Sequence, residues 1–191
     1  MTKTSPSPNN DASAAAGAEA GVHVCSLLTV HDVLAATRAR FLVTVINEQL
    51  MLATPHRLDS ANHLKLTCND IARPTPGLIA PDTGHIEQLI GFARRWNRQG
   101  PLVVHCWAGI SRSTAAAFIT LCTLNPRAPE DAIAQALRRA SPTATPNRLL
   151  IALADEHLQR EGRMVRAVEA IGEGEPMAGE GKPFRLPSRY R

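Results

Sequence analysis

The stretch Leu102-Val103-Val104-His105-Cys106-Trp107-Ala108-Gly109-Ile110-Ser111-Arg112-Ser113-Thr114 limits the fold of this chain more than any other. Leu102, Val103 and Val104 form a short, unbroken apolar run, the pattern of a strand buried on both faces. Such a strand needs helices on either side of its sheet, which calls for an α/β domain. The run passes directly into His105-Cys106, and after five intervening residues Arg112 opens a helical pattern. A strand that turns into a helix this way makes an anion trap: loop amides converge on a phosphate-sized group and the helix N-terminus adds its positive end. Gly109 allows close backbone approach or a conformation other residues resist, and Arg112 can grip two phosphate oxygens with its planar fork.

The rest of the chain fits around that strand. Val22–Leu27, Phe41–Ile46 and His63–Cys68 read as further strands, with a helix over His31–Arg40 between the first two. The segment 71–81 holds Pro74, Pro76, Gly77 and Pro81 and reads as a functional loop. Asp82 suits an N-cap, followed by Ile86, Leu89, Ile90, Ala93 and Trp96 at helical spacing up to Gly100-Pro101. Helical patterns then cover Ser113–Leu124, Pro129–Ala140 and Pro146 to Gly172, the last opened by Thr145. The expected architecture is therefore one α/β domain over 21–172: a mixed central sheet of four to five strands, helices on both faces and a helical C-terminal third.

Residues 1–20 carry almost no large apolar side chain and read as a disordered tail. Gly, Glu and Pro return over 173–191, which reads as a flexible tail whose last residues, Phe184–Arg191, either dock or dangle. With 191 residues the chain has room for a single full core. No apolar stretch approaches the length of a membrane helix or an export signal, so a cytosolic protein is expected. Cys25, Cys68, Cys106 and Cys122 lack paired spacing, which argues against a disulfide framework or a zinc site and for reduced thiols. The net charge is +4, but the basic residues are scattered without an aromatic stripe, so nucleic acid is not an expected partner and an anionic substrate is compatible.

The field that binds a phosphate dianion also favours a thiolate, which makes Cys106 a candidate nucleophile. A cysteine aimed at a bound phosphate implies phosphoryl transfer through phosphocysteine, then hydrolysis by water. Arg112 and the amides would neutralise the equatorial oxygens, so no metal or other cofactor is expected. The leaving oxygen needs a proton. Asp70 ends a strand at the mouth of the proline-rich loop and is the preferred acid; Asp82, suited to capping a helix, is the alternative, and a turn-forming Asn69-Asp70 pair is the bland reading.

The run HCWAGISRST resembles the active-site signature His-Cys-x5-Arg-Ser/Thr of the cysteine-dependent protein tyrosine phosphatases, and AGISRS is most similar to the dual-specificity branch. Element order and the pair Pro146-Asn147 extend the likeness more weakly over residues 22–160, and bacterial members of the group look similar. The resemblance implies a phosphatase fold, Cys106 as nucleophile, Arg112 as phosphate ligand, Ser113 assisting the departing thiolate and His105 tuning the loop. Trp107, Ala108, Gly109, Ile110 and Ser111 would line the phosphate with Arg112, and Asn69-Asp70 matches the position of the branch's acid in a loop a few residues longer than usual. Low-molecular-weight phosphatases and arsenate reductases carry Cys-x5-Arg near the N-terminus, whereas about 85 residues of the domain precede it here. Rhodanese-like phosphatases lack the helical C-terminal third.

The expected activity is hydrolysis of a phosphorylated protein, phosphotyrosine first, or of a small phosphate ester. The loop Trp-Ala-Gly-Ile-Ser brings no Lys or second Arg, which disfavours a polyphosphoinositide head group. The alternatives are a non-catalytic phosphate-binding module of the same fold and a small-molecule or lipid phosphate monoesterase. For Trp107, packing on a neighbouring helix is preferred to a place in the pocket wall; Cys25 and Cys68 read as core residues, and the other six histidines have no assigned role.

Overall fold

The computed structural model describes residues 20–191, so the tail expected over 1–20 lies outside the described residues except for Ala20. Strand β1 (Gly21–Cys25) leads through α1 (Val30–Thr37) to β2 (Phe41–Ile46) and β3 (His63–Thr67). Helix α2 (Thr83–Trp96) follows, then β4 (Leu102–His105) and the helices α3 (Arg112–Leu124), α4 (Glu130–Ala140), α5 (Arg148–His157) and α6 (Arg163–Ala170). Strand β5 (Phe184–Pro187) completes a five-stranded sheet ordered β3-β2-β4-β1-β5. β4 lies parallel between β2 and β1, β3 is parallel to β2, and β5 is antiparallel to β1, so the sheet is mixed as expected. No helix among the described residues is long and apolar enough to cross a membrane.

The period-two pleat divides the strand side chains between two cores. Val22, Val24, Val43, Val45, Leu102 and Val104 face α2 to α6 and join Trp96, Phe92, Phe118 and Leu121 in the main cluster. Cys25, Leu42 and Val103 face the other way, where Val30, Val33 and Leu34 of α1 cover them together with Leu52 and Leu58. Burial on both faces explains the unbroken apolar run of β4. Because β1 to β4 are parallel, their C-terminal ends share one edge, and the loops after Cys25, Thr67 and His105 meet there. Crevices beyond such strand ends are where α/β sheets bind ligands.

Two expectations about the C-terminal third are corrected. The continuous helix over 146–172 is broken at Leu158–Gly162, where Gln159, Glu161 and Gly162 all take positive φ. Asp155 folds back to accept the N–H groups of Gly162 (2.6 Å) and Met164 (2.7 Å), capping α6. Glu130, buried at the start of α4, accepts from Arg160 and Arg163 at 3.2 Å each and braces the corner. The second correction concerns the flexible tail over 173–191, in which Phe184–Pro187 is a strand and Leu186 is 1% exposed. β1 offers an unpaired edge, and β5 satisfies it in the register Val22 to Leu186. Arg98 and Asn125 then hold the Ser188 carbonyl at 3.0 and 3.1 Å, so the chain end docks.

Candidate active site

The loop from Cys106 to Ser111 leaves the end of β4 and enters α3, a 13-residue helix buried through most of its length. Gly109 takes φ +75°, and a Cβ there would stand 2.8 Å from the Cys25 carbonyl carbon. Both facts require glycine, and together they press the loop against the end of β1. The Leu27 N–H donates to the Trp107 carbonyl (3.0 Å) and the Gly181 N–H to the Ala108 carbonyl (2.8 Å), so the outer carbonyls are held by neighbouring segments.

Cys106 is 2% exposed. Its Sγ accepts from the Gly109 N–H (3.3 Å) and lies 3.1 Å from Ser113 Oγ, so the sulfur sits inside the loop at the N-terminal end of α3. Arg112, 6% exposed, donates from Nη1 to the Cys68 carbonyl (2.8 Å), which fixes the guanidinium plane. Among the described residues its buried Nε has no hydrogen-bond partner, and Asp70 Oδ2 lies 3.9 Å from it. A buried guanidinium N–H with no acceptor is costly unless an anion meets it.

Asp70 is brought to this site and Asp82 is not. Asp70 Oδ1 accepts from Ser111 Oγ (2.7 Å) and from Asn147 Nδ2 (2.8 Å), leaving Oδ2 on the Arg112 side. Asn147 also caps α5 by accepting from the Leu150 N–H (3.0 Å), so one side chain ties Asp70 to a helix end. The proline-rich loop is closed at its base, where Asn69 and Ile79 exchange backbone and side-chain hydrogen bonds of 2.7 and 2.9 Å. Asp82 accepts from the His85 N–H in a capping box on α2. Trp107 is 54% exposed rather than packed on a helix, and its carbonyl accepts from the Leu27 N–H.

His105 is fully buried, and burial pushes its pKa down to about 4, so the ring is neutral. Its Nδ1 lies 3.3 Å from the Cys106 carbonyl and its Nε2 lies 2.8 Å from Thr44 Oγ1. Burial likewise raises the thiol pKa values of Cys25 to about 12 and Cys68 to about 11 and keeps both protonated. Residues without an expected role that join the site are Asn147, the Cys68 carbonyl, Gly181 and Thr44. Only the Pro146-Asn147 pair had a signal in the sequence. No three His, Cys, Asp or Glu side chains among the described residues converge as metal ligands would.

No protein-family model matches the chain, and no curated protein matches it either. Solved structures do. DUSP15 is similar with a TM-score of 0.53 at 20% identity, covering 80% of this chain and 90% of that one. The PTP-2 phosphatase of Cydia pomonella gives 0.54 at 17% identity, covering 71% and 84%. PTPMT1, solved in complex with PI(5)P, gives 0.54 at 17% identity, covering 78% and 96%. The architecture is thus the fold of the dual-specificity and tyrosine phosphatases, the group whose signature residues 105–114 resemble.

Proposed function

We propose that this phosphatase-fold chain is a phosphate monoester hydrolase working through a phosphocysteine on Cys106, with phosphotyrosine in proteins as the first substrate to test. The observation that carries the reading is the pairing of Cys106 Sγ, held by Gly109 N–H and Ser113 Oγ, with a buried Arg112 Nε that has no hydrogen-bond acceptor among the described residues. An anion centred over the loop would complete both. In the first step the thiolate attacks phosphorus, the ester P–O bond breaks, and the departing oxygen takes a proton from Asp70. In the second, water attacks phosphocysteine, Asp70 takes the water proton, and the S–P bond breaks to return the thiolate to the Ser113 hydroxyl. Arg112 and the loop amides stabilise the equatorial oxygens in both steps.

Trp107, next to Cys106 in the loop, is exposed and offers an apolar ring, which suits an aromatic ester. The test is hydrolysis of an aryl phosphate and of a phosphotyrosine peptide in excess chelator under reducing conditions, wild type beside Cys106→Ser. Chelator-resistant turnover abolished by the substitution supports the reading. Absence of turnover in the wild type, with inorganic phosphate still bound, overturns it in favour of a binding module.

A further inference from the structure

Three polar side chains cross the sheet on its α1 face. In the register of β2 with β4, Thr44 stands opposite His105; in that of β2 with β3, His63 pairs with Leu42, two residues from Thr44. All three are buried, and Thr44 Oγ1 lies 2.8 Å from both His63 Nε2 and His105 Nε2. His63 Nδ1 is in turn 3.0 Å from Thr54 Oγ1. The row therefore runs from Thr54 through His63, Thr44 and His105 to the Cys106 carbonyl.

The direction of every bond in this row follows from its last member. A carbonyl only accepts, so His105 Nδ1 carries the proton that it donates to Cys106 O. Both rings are buried and neutral, since burial pushes each pKa to about 4. A neutral imidazole has one N–H, so His105 Nε2 is an acceptor and the Thr44 hydroxyl must donate to it. That hydroxyl has one proton, so it accepts from His63 Nε2–H, and His63 Nδ1 accepts from the Thr54 hydroxyl. Each proton has one place to go and no donor is left over.

We propose that Thr44 is a positioning residue for Cys106: its hydroxyl, oriented by His63, donates to His105 Nε2 and locks that ring in the Nδ1–H tautomer that holds the Cys106 carbonyl. The carbonyl fixes the peptide plane between nucleophile and phosphate loop, so a ring free to change tautomer lets the loop rotate. The positioning role rests on the phosphatase reading, whereas the tautomer assignment stands independently of it.

The test uses the full chain with ¹⁵N-labelled histidine and the pair Thr44→Val, which keeps the shape and removes the hydroxyl, and Thr44→Ser, which keeps the hydroxyl. Long-range ¹H–¹⁵N correlation in the wild type should show His105 as Nδ1–H and His63 as Nε2–H. In Thr44→Val the His105 signals should move toward a mixture of tautomers, and kcat for an aryl phosphate should fall about tenfold, as loss of one buried hydrogen bond in the transition state implies. Competitive inhibition by inorganic phosphate should change less than about twofold, because no phosphate ligand is touched. Thr44→Ser should restore the wild-type tautomer and return kcat to within about threefold. His63→Leu should retain the His105 Nδ1–H signal, since Thr44 still donates. An Nε2–H His105 in the wild type overturns the assignment, and a wild-type kcat in Thr44→Val overturns the positioning role. Wild-type tautomers as assigned without any turnover would sink the phosphatase reading alone.

Discussion

Stability should fall steeply below neutrality, and the two histidines on the α1 face set the amount. His63 and His105 are held near pKa 4 by burial, against an ordinary 6.5 in the unfolded chain. A depressed folded value means that the unfolded state binds more protons between these limits, so stability is complete above pH 6.5 and is lost as pH falls toward 4. From those values each ring costs about 2 kcal/mol at pH 5 and about 3 kcal/mol at pH 4. Together they remove about 4 kcal/mol at pH 5, a large share of the 5–15 kcal/mol typical of a domain. His23 shifts the same way. The carboxyl of Asp82, held low by the His85 N–H, titrates only beneath this window.

The assay is urea unfolding followed by the fluorescence of Trp96 and Trp107 at pH 7, 6 and 5, with linear extrapolation to water. Wild type should lose about 4 kcal/mol across the series, and His63→Gln, with one ring fewer to titrate, about half as much. A free energy constant from pH 7 to pH 5 would refute the premise that both rings are buried neutral. A decline identical in wild type and His63→Gln would show that other groups carry it.

Gly109→Ala should cost about 1–3 kcal/mol in urea unfolding and weaken phosphate binding, since a Cβ meets the end of β1 at 2.8 Å and φ is +75°. Asp70→Asn should slow alkyl phosphates by about 10²–10⁴ while activated aryl phosphates lose much less; equal losses on both would remove Asp70 from the role of acid. Arg112→Lys keeps the charge but not the two-pronged grip, so kcat/KM should drop by about 10² or more, with the melting temperature as control for folding. Leu186→Ala should destabilise the chain by about 2–5 kcal/mol in calorimetry if β5 is integral to the sheet.

What could be read from the sequence divides along a physical line. Residues 102–114 were legible because strand, loop and helix are consecutive, and contacts such as Gly109 N–H to Cys106 Sγ close over three residues. Asp70 was legible by its place at a strand end, and Asp82 by local capping chemistry. The break at Gly162 was missed because hydrophobic spacing continues through it, although Asp155 supplies a cap. The docked strand β5 was missed because a four-residue segment with one buried leucine has no periodicity to detect. The larger omission was Thr44 and His63. A period-two pattern says which face of a sheet a residue takes, and strand order alone says which residue it meets there. In the order β3-β2-β4, Thr44 falls between two histidines, 19 residues from one and 61 from the other. Each of the three has an ordinary strand environment when read singly, and only the register turns them into a directed row ending at the Cys106 carbonyl. Support for a loop residue that arrives laterally across parallel strands is therefore invisible to motif spacing, and it is found by following each buried donor to its acceptor.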